Sequence, residues 1–513
     1  MSRTNKIIKN AKVGTFFFVL VSVIGFYSRK IFLERLGDDF IGLISTLQSF
    51  LSFLNLVELG VGSAMGFAMY KSLFDKDHDR LNELFTLIGY LYNKIGKIVF
   101  ISGVVLSLFF PLIFSETPIN ILVIYYVFYI YLFASLIYYF FNYHLMVLQA
   151  DQKGYIPTSY QQSLHVIKIL VQIGLLHITN NFTLFISIEL LSVIILNILL
   201  HRRIKKEYPW LNFSSKGNKS LLKENKELIL KIKQVFVHRI SGFILKSTDN
   251  IVIFSFVSLK SVTYVNNYYI IIGSSTTLLT NFFAGTKAAV GSVISENDSN
   301  KIKKIFWELT SLNHYVGGVL VMSLYYGVNP VISLWLGEQY IMEDTIVTLL
   351  LANVMISKMR VSIEQYIHAY GLFHDIWAPI TEGLLNLIIS IILASYFGIT
   401  GVLLGTFISV SLIVLIWKPY FLYKNGFKKP LLSYWIGFFR LIISFSLAVL
   451  LSNYIITNFI TINKESWLLL LISLIQVGFI LLLVYSSIMY LFNPGYRTLA
   501  IRILGMVKNI IKI

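Results

Sequence analysis

The chain contains no cysteine, which removes any disulfide framework, thiolate metal site or cysteine nucleophile and leaves the redox compartment open. Charge is scarce, at 13% of 513 residues against about 25% in a soluble domain. Acids are scarcer still, 25 against 43 Lys and Arg. No Walker-type glycine loop occurs, so ATP hydrolysis within the chain is not expected. His144, His165, His177, His238, His314 and His368 are scattered without metal-ligand spacing, and no metal site or cofactor is expected.

What fills the chain instead is apolar: 56% of residues are hydrophobic and 15% aromatic. Such a chain is a polytopic membrane protein, and its net charge of +18 reads as orientation signal in loops rather than as a nucleic-acid surface. A spanning helix needs about 20 mostly apolar residues. That length places spans at 13–34, 41–69, 84–113, 119–147, 156–178, 182–200, 234–257, 264–291, 305–328, 342–367, 378–397, 401–418, 433–457 and 467–491. The fold class expected is therefore all-α with fourteen transmembrane helices. Residues 1–12 and the apolar run after them imitate a signal peptide, but the run continues into Arg29 and Lys30 with no small-residue cleavage site, so it reads as a retained first helix.

One long polar stretch, 201–233, interrupts the oil with ten Lys and Arg. Its sign marks it as cytoplasmic. The expected organisation is a first six-helix bundle over 1–200, a basic cytoplasmic loop over 201–233, a second six-helix bundle over 234–418, and two further helices with a tail over 419–513. Most basic residues fall on the side of that loop, whereas the opposite loops hold only Arg35, Lys260 and Lys464. Both termini are therefore expected in the cytoplasm. The outer loops are short, which argues against a glycosyltransferase or polysaccharide polymerase with catalytic acids on a large outer loop. The two halves run in the same direction, and pairs such as Asp77 with Asp298 and Gly96 with Gly317 are compatible with a tandem repeat.

A charge near the bilayer centre costs roughly 2.5–3.5 kcal/mol on insertion scales, so buried charges ordinarily face water or a partner. Counting about 1.5 Å per helical residue, Lys168, Lys246 and Lys358 fall near the midplane, Arg29 nearer the outer surface, and Arg360 and Glu58 nearer the inner one. Spacings of three, four and seven place Gln161, His165, Lys168 and Gln172 on one stripe of the fifth span. The seventh carries Arg239, Gly242, Lys246 and Asp249, and the tenth Asn353, Ser357, Arg360 and Glu364. Such stripes are expected to wall an aqueous lumen. Its candidate substrate contacts are Arg29, Lys168, Lys246, Lys358 and Arg360, because basic residues within the spans outnumber acids and favour an anion such as a phosphate. Asp249, Glu58, Glu189 and Glu364 are candidate charge partners or ion-coupling groups, Arg360 and Glu364 being spaced for an internal pair. Tyr125, Tyr126, Tyr129, Tyr131, Tyr138, Tyr139 and Tyr143 crowd the fourth span, where interfacial anchoring and packing explain most of them.

Several segments resemble a known family: YSRKIFLERLGDDFIGL with VELGVGSAM in the first two spans, KSTDNIVI in the seventh, PVISLWLGEQY before the tenth, and YGLFHDIWAPITEGLLNLIIS into the eleventh. In order and spacing they resemble the polysaccharide transporters that flip lipid-linked oligosaccharide repeat units for O-antigen and capsule, within the multidrug/oligosaccharidyl-lipid/polysaccharide (MOP) exporter superfamily. The resemblance implies a MATE-like fold of two six-helix bundles around a central cavity plus two C-terminal helices, and alternating access. It also implies a basic cavity facing an undecaprenyl-pyrophosphate-linked glycan, a bacterial inner-membrane location, and coupling to an H+ or Na+ gradient. Partners would be the bilayer and polysaccharide polymerase or assembly proteins, with no nucleic acid. Arg29, Lys246 and Asp249 match the motifs, while Lys168, Lys358 and Arg360 rest on depth and face. A flippase for a peptidoglycan precursor shares this charge logic. A cation-coupled drug antiporter on the same fold should have an acidic or aromatic cavity instead.

The topology has a direct test. Because the native chain has no cysteine, a single cysteine at Asn463 should react with an impermeant thiol reagent from outside and one at Lys219 should not; the reverse pattern would overturn the orientation.

Overall fold

The computed structural model describes residues 3–58, 61–213, 219–282, 286–372 and 374–511, and leaves some side chains within them undescribed, those of 237–247 among them. Its helices, in order, are α1 (Arg3–Leu36), α2 (Asp38–Leu54), α3 (Val61–Asp75), α4 (His78–Ser107), α5 (Ile121–Phe141), α6 (Tyr155–Thr179), α7 (Phe182–Glu207) and α8 (Lys226–Phe256). Then come α9 (Leu259–Phe282), α10 (Thr286–Ser295), α11 (Ser299–Leu336), α12 (Asp344–Ala369), α13 (Trp377–Phe427), α14 (Leu432–Phe459), α15 (Trp467–Phe492) and α16 (Pro494–Ile511). Among the described residues there is no strand. The protein is an all-α polytopic membrane protein, as its composition requires.

Ten of these helices are long and apolar enough to cross a bilayer. Three expected spans take other forms. The span at 41–69 divides into α2, a short turn at Asn55–Glu58, and α3. Side chains at that turn are engaged by other helices: Ser135 and Tyr139 donate to Asn55 Oδ1 at 3.1 and 2.9 Å, and Tyr92 donates to Glu58 Oε1 at 2.9 Å. The span at 234–257 lies in α8, whose Lys, Arg and Asp side chains make it more polar than its neighbours. The span at 264–291 is shared between α9 and α10, with 283–285 outside the described residues.

The expected spans 378–397 and 401–418 both lie in α13, which folds back on itself at Gly398 (φ 54°, ψ −128°). That positive φ is open to glycine without steric penalty. Two further glycines close the hairpin: a Cβ on Gly405 would stand 2.6 Å from the Ser390 nitrogen, and one on Gly401 would stand 2.1 Å from the Leu393 carbonyl oxygen. Ser390 Oγ donates to the Val402 carbonyl at 3.1 Å and Asn386 Nδ2 to Thr406 Oγ1 at 2.8 Å, so the returning helix is bonded at two levels. Beyond it the helix widens into π-type turns at Leu412–Trp417 and Tyr423–Phe427.

The chain forms two compact units, Met1–Thr263 and Tyr264–Ile513. In the first, α1 packs on α6, α5 on α4 and α7, and α8 on α2 and α3. The sequence reading puts the division at the basic loop, whereas the unit boundary falls after α8. Asn250 donates to Ser49 Oγ at 3.2 Å, Thr263 Oγ1 to the Asp38 carbonyl at 2.7 Å, and the rings of Phe114 and Phe254 stack at 4.9 Å. At one end of this unit Lys153 binds Asp151 at 2.7 Å and Glu207 at 2.8 Å. Burial opposes its charge, but these two carboxylates outweigh burial and raise its pKa. In the second unit α11 packs on α12, α15 and α16, and α12 on α13. Its core joins the rings of Phe306, Tyr366, Tyr423 and Phe427 to a second cluster around Met322, Ala448 and Tyr485.

A Gly405→Val substitution should split the α13 hairpin, since the added carbons meet the Ser390 backbone as well as its hydroxyl. Overpacking of this kind typically costs about 1–3 kcal/mol. Melting of the detergent-solubilised protein should reveal the loss, and an unchanged transition would contradict the close packing.

Candidate functional site

The candidate charges fall into the two units separately. In the first, Lys168 on α6 does not stand without an acid. Its Nζ lies 2.9 Å from each carboxylate oxygen of Glu189 on α7, and Gln172 Nε2 donates to Glu189 Oε1 at 3.1 Å and to the Phe185 carbonyl at 3.0 Å. Only 12% of the Lys168 side chain and 18% of Glu189 are exposed. Pairing and added hydrogen bonds are what make charge tolerable away from water. At Lys168 and Gln172 the stripe expected to wall a lumen therefore faces a neighbouring helix.

Arg29 on α1 is half-buried and donates to the Thr263 carbonyl at 3.5 Å, a long contact. Glu58 accepts from Tyr92, beside the Tyr139 ring at 5.9 Å from that of Tyr92. Asp249 on α8 is buried. The side chain of Lys246, one turn earlier, lies outside the described residues. Several tyrosines of α5 are used within the unit: Tyr125 donates to the Ser107 carbonyl at 3.0 Å, Tyr129 meets Ser107 Oγ at 2.9 Å, and Tyr126 meets Ser187 Oγ at 2.6 Å. These three hydroxyls therefore tie α5 to α4 and α7.

In the second unit Arg360 on α12 binds two acids. Its Nε lies 2.7 Å from Glu364 and its terminal nitrogen 2.5 Å from Glu382 on α13, a residue with no exposed side-chain surface. The expected internal pair with Glu364 is present, and Glu382 joins it from another helix. Asn353 of the same stripe donates to the Leu403 carbonyl of α13 at 3.2 Å. Positions 353, 360 and 364 thus include contacts with α13, and Arg360 is charge-compensated.

Lys358 points elsewhere. It is half-buried, its Nζ lies 3.3 Å from Thr280 Oγ1 and 3.5 Å from the Thr276 carbonyl of α9, and no carboxylate stands within ion-pair distance among the described residues. Its stem crosses α11 at Gly317, where an added Cβ would come within 2.9 Å of Lys358 Cβ. The second unit also holds an apolar cavity of about 560 Å³ bounded by residues such as Met322, Met355, Met359 and Phe445, and none of the candidate cations lines it.

One buried pair escaped the sequence reading. Lys418, the last residue of the expected span 401–418, lies 3.0 Å from Asp375, and their side chains are 8% and 5% exposed. Trp417 Nε1 adds a contact to the same carboxylate oxygen at 3.4 Å. The only signal was an acid just before the eleventh span and a base at the end of the twelfth, the places that an antiparallel hairpin brings level.

Geometry thus sorts the five candidate cations by partner. Lys168 and Arg360 meet carboxylates, Arg29 and Lys358 have described contacts to carbonyl or hydroxyl oxygens, and Lys246 is undescribed. An ammonium held only by neutral oxygens keeps its charge available to an anion, whereas a paired one does not.

Solved structures share this architecture. The lipid II flippase MurJ in an inward closed conformation superposes with a TM-score of 0.65 at 17% identity, over 93% of this chain and 98% of that one. The protein has the MOP fold. An inward-facing multidrug resistance MATE transporter of the MOP superfamily gives 0.61 at 12% identity, over 80% of this chain and 96% of that one. A MOP superfamily transporter from Pyrococcus furiosus, described as having a binding pocket of reverse polarity, gives 0.51 at 12% identity, over 83% and 95%. No family model and no curated protein sequence matches the chain.

Lys168→Met should destabilise the protein by on the order of 3 kcal/mol, because it leaves Glu189 buried without its cation. The double replacement Lys168→Met with Glu189→Leu should recover much of that loss in a thermal melt. If the single variant melts like the parent, the pair is not structural.

Proposed function

We propose that the protein is a flippase that carries a lipid-linked oligosaccharide, on undecaprenyl pyrophosphate, from the cytoplasmic to the outer leaflet of a bacterial inner membrane for surface polysaccharide synthesis. A glycan and a pyrophosphate do not cross about 30 Å of hydrocarbon unaided. They need a polar path with positive charge at depth. The observation that carries the reading is Lys358: a mid-helix ammonium on a MOP fold whose described partners are the Thr276 carbonyl and the Thr280 hydroxyl. Arg29 and Lys246 are further proposed anion contacts in their own right, on the strength of the motif resemblance. Lys168 and Arg360 serve the path through the helices that their ion pairs fix in place.

Transport would proceed by alternating access, with the path open to one side at a time. Asp249, Glu58, Glu189 and Glu364 remain the proposed ion-coupling or charge-partner groups for an H+ or Na+ gradient. A polysaccharide polymerase and other assembly proteins are the proposed downstream partners, because a repeat unit delivered to the outer leaflet must then be joined to others.

A peptidoglycan-precursor flippase is the second reading. It is favoured by the match to MurJ, which is a lipid II flippase. The two readings differ in the head group and hence in the phenotype. Loss of a polysaccharide flippase should leave repeat units on the cytoplasmic leaflet and strip surface glycan, whereas loss of a peptidoglycan flippase should arrest wall synthesis. A deletion that instead sensitises cells to cationic drugs would favour an antiporter.

Purified protein in vesicles should move a labelled lipid-linked glycan to the far leaflet, and Lys358→Glu should abolish that movement while leaving the melting temperature near the parent's. Lys358→Arg should retain part of the activity, since it keeps the charge but not the ammonium geometry. Normal transport by Lys358→Glu would sink the assignment of this lysine.

A further inference from the structure

The C-terminal helix α16 is unlike the spans before it. It follows α15 with only Asn493 between them, so it begins where a membrane-crossing helix ends. Its sequence, PGYRTLAIRILGMVKNII, contains Arg497, Arg502 and Lys508 and no acid. Its start is fixed to the protein. Arg497 donates to the Tyr490 and Leu491 carbonyls at 3.0 and 2.7 Å, and so satisfies oxygens at the end of α15. Gly495 sits against the backbone of Trp307 on α11, and the Tyr496 ring lies 5.0 Å from that of Tyr315. One turn further, Arg502 forms an ion pair with Glu308, an α11 carboxylate buried to within 2%.

These contacts do not cover the helix. Ile501, Ile503 and Leu504 are 55%, 48% and 59% exposed. Between α16 and α11 an apolar gap of about 350 Å³ is bounded by Leu312, Tyr315, Leu499, Ile503 and their neighbours. The exposed edge and the gap lie near the start of α11, where Lys303 and Lys304 add positive charge and Lys304 is exposed.

We propose that α16 is a membrane-surface helix, seated on an anionic phospholipid leaflet on the side of the basic loops. Three observations select that occupant. The helix continues directly from a span, so its first turns are at the level of the headgroups. Its charge is of one sign and complements anionic lipid, Arg497 having only carbonyl partners described and Arg502 alone being neutralised by an acid. Its open edge is apolar, and burying such an edge at the boundary between headgroups and acyl chains is what binds an amphipathic helix to an interface. Within that arrangement the Glu308–Arg502 pair neutralises one arginine and holds the helix against α11, so that the neighbouring isoleucines and leucine face the lipid.

The absence of native cysteine makes the test clean. Full-length protein carrying Ile501→Cys or Leu504→Cys, labelled with an environment-sensitive fluorophore, would be reconstituted in phosphatidylcholine vesicles with or without phosphatidylglycerol. Lipids spin-labelled near the headgroup should quench both positions, aqueous iodide should not, and lipid quenching should be several-fold stronger with phosphatidylglycerol at low salt than without it. An added Ile501→Asp change should weaken the quenching at 504. Iodide access equal to that of a free dye in both lipids would overturn the proposal. So would shielding from iodide without lipid quenching, which would mean that a second copy or another protein covers the edge. Equal lipid quenching with and without phosphatidylglycerol would overturn the anionic-lipid assignment.

Discussion

A charged side chain in hydrocarbon must find a counter-charge, water or a dense set of hydrogen bonds. Much of the polar structure follows from that constraint. Lys168 and Glu189 hold α6 against α7, Arg360 and Glu382 hold α12 against α13, and Lys418 and Asp375 hold the end of the α13 hairpin to the segment that enters it. The first two pairs join different helices, and the third joins a helix to the connection that precedes it. A pair of this kind is weak evidence of stability, because both ions lose solvation. It is stronger evidence of register, since sliding one helix by a turn would leave two buried charges instead of none.

Small residues supply what the charges cannot. Apolar helices gain little from meeting each other in lipid, which is itself apolar, so close approach of backbones matters more than in water. The α13 hairpin is the clearest instance: Gly398 makes the reversal, and Gly401 and Gly405 let the returning helix touch Leu393 and Ser390. Gly317 does the same for a side chain rather than a backbone, giving the stem of Lys358 room to cross α11. The hairpin also explains why Glu382 is sealed. Its carboxylate lies where the two arms and α12 meet, and Arg360 is the cation that reaches it.

The class of fold was legible in the sequence because length and hydropathy are one-dimensional properties. Runs of about 20 apolar residues survive as helices whatever they pack against, and the helix ends found here lie close to the expected spans. Rotation about each helix axis is not one-dimensional. The stripes of Lys168 with Gln172 and of Arg360 with Glu364 were visible at helical spacing, but spacing does not say whether a stripe faces water or a neighbour. Partners at i+4, such as Glu364 for Arg360, can be read off one helix. Glu189 and Glu382 belong to other helices and had no signal in the local pattern. The Lys418 pair had no local signal for a related reason: a base at the end of an apolar run ordinarily marks a loop, and nothing nearby in sequence announced that Asp375 would come beside it.

The same distinction separates Lys358 from the other candidates. Stripe logic rewards polar residues that recur on one face, and Lys168, Gln172, Asn353 and Arg360 of those faces meet adjacent helices. Lys358 lies on another face of α12, with Ser362 and Gln365 at i+4 and i+7, and reaches toward the hydroxyl-bearing turn of α9 at Thr276 and Thr280. Its described contacts are two neutral oxygens at 3.3 and 3.5 Å, and it is half-buried. A lysine with that surrounding keeps an electrostatic affinity for anions that a carboxylate-paired lysine does not. The residues that tie helix to helix therefore differ in kind from Lys358, a half-buried cation with no carboxylate at ion-pair distance among the described residues.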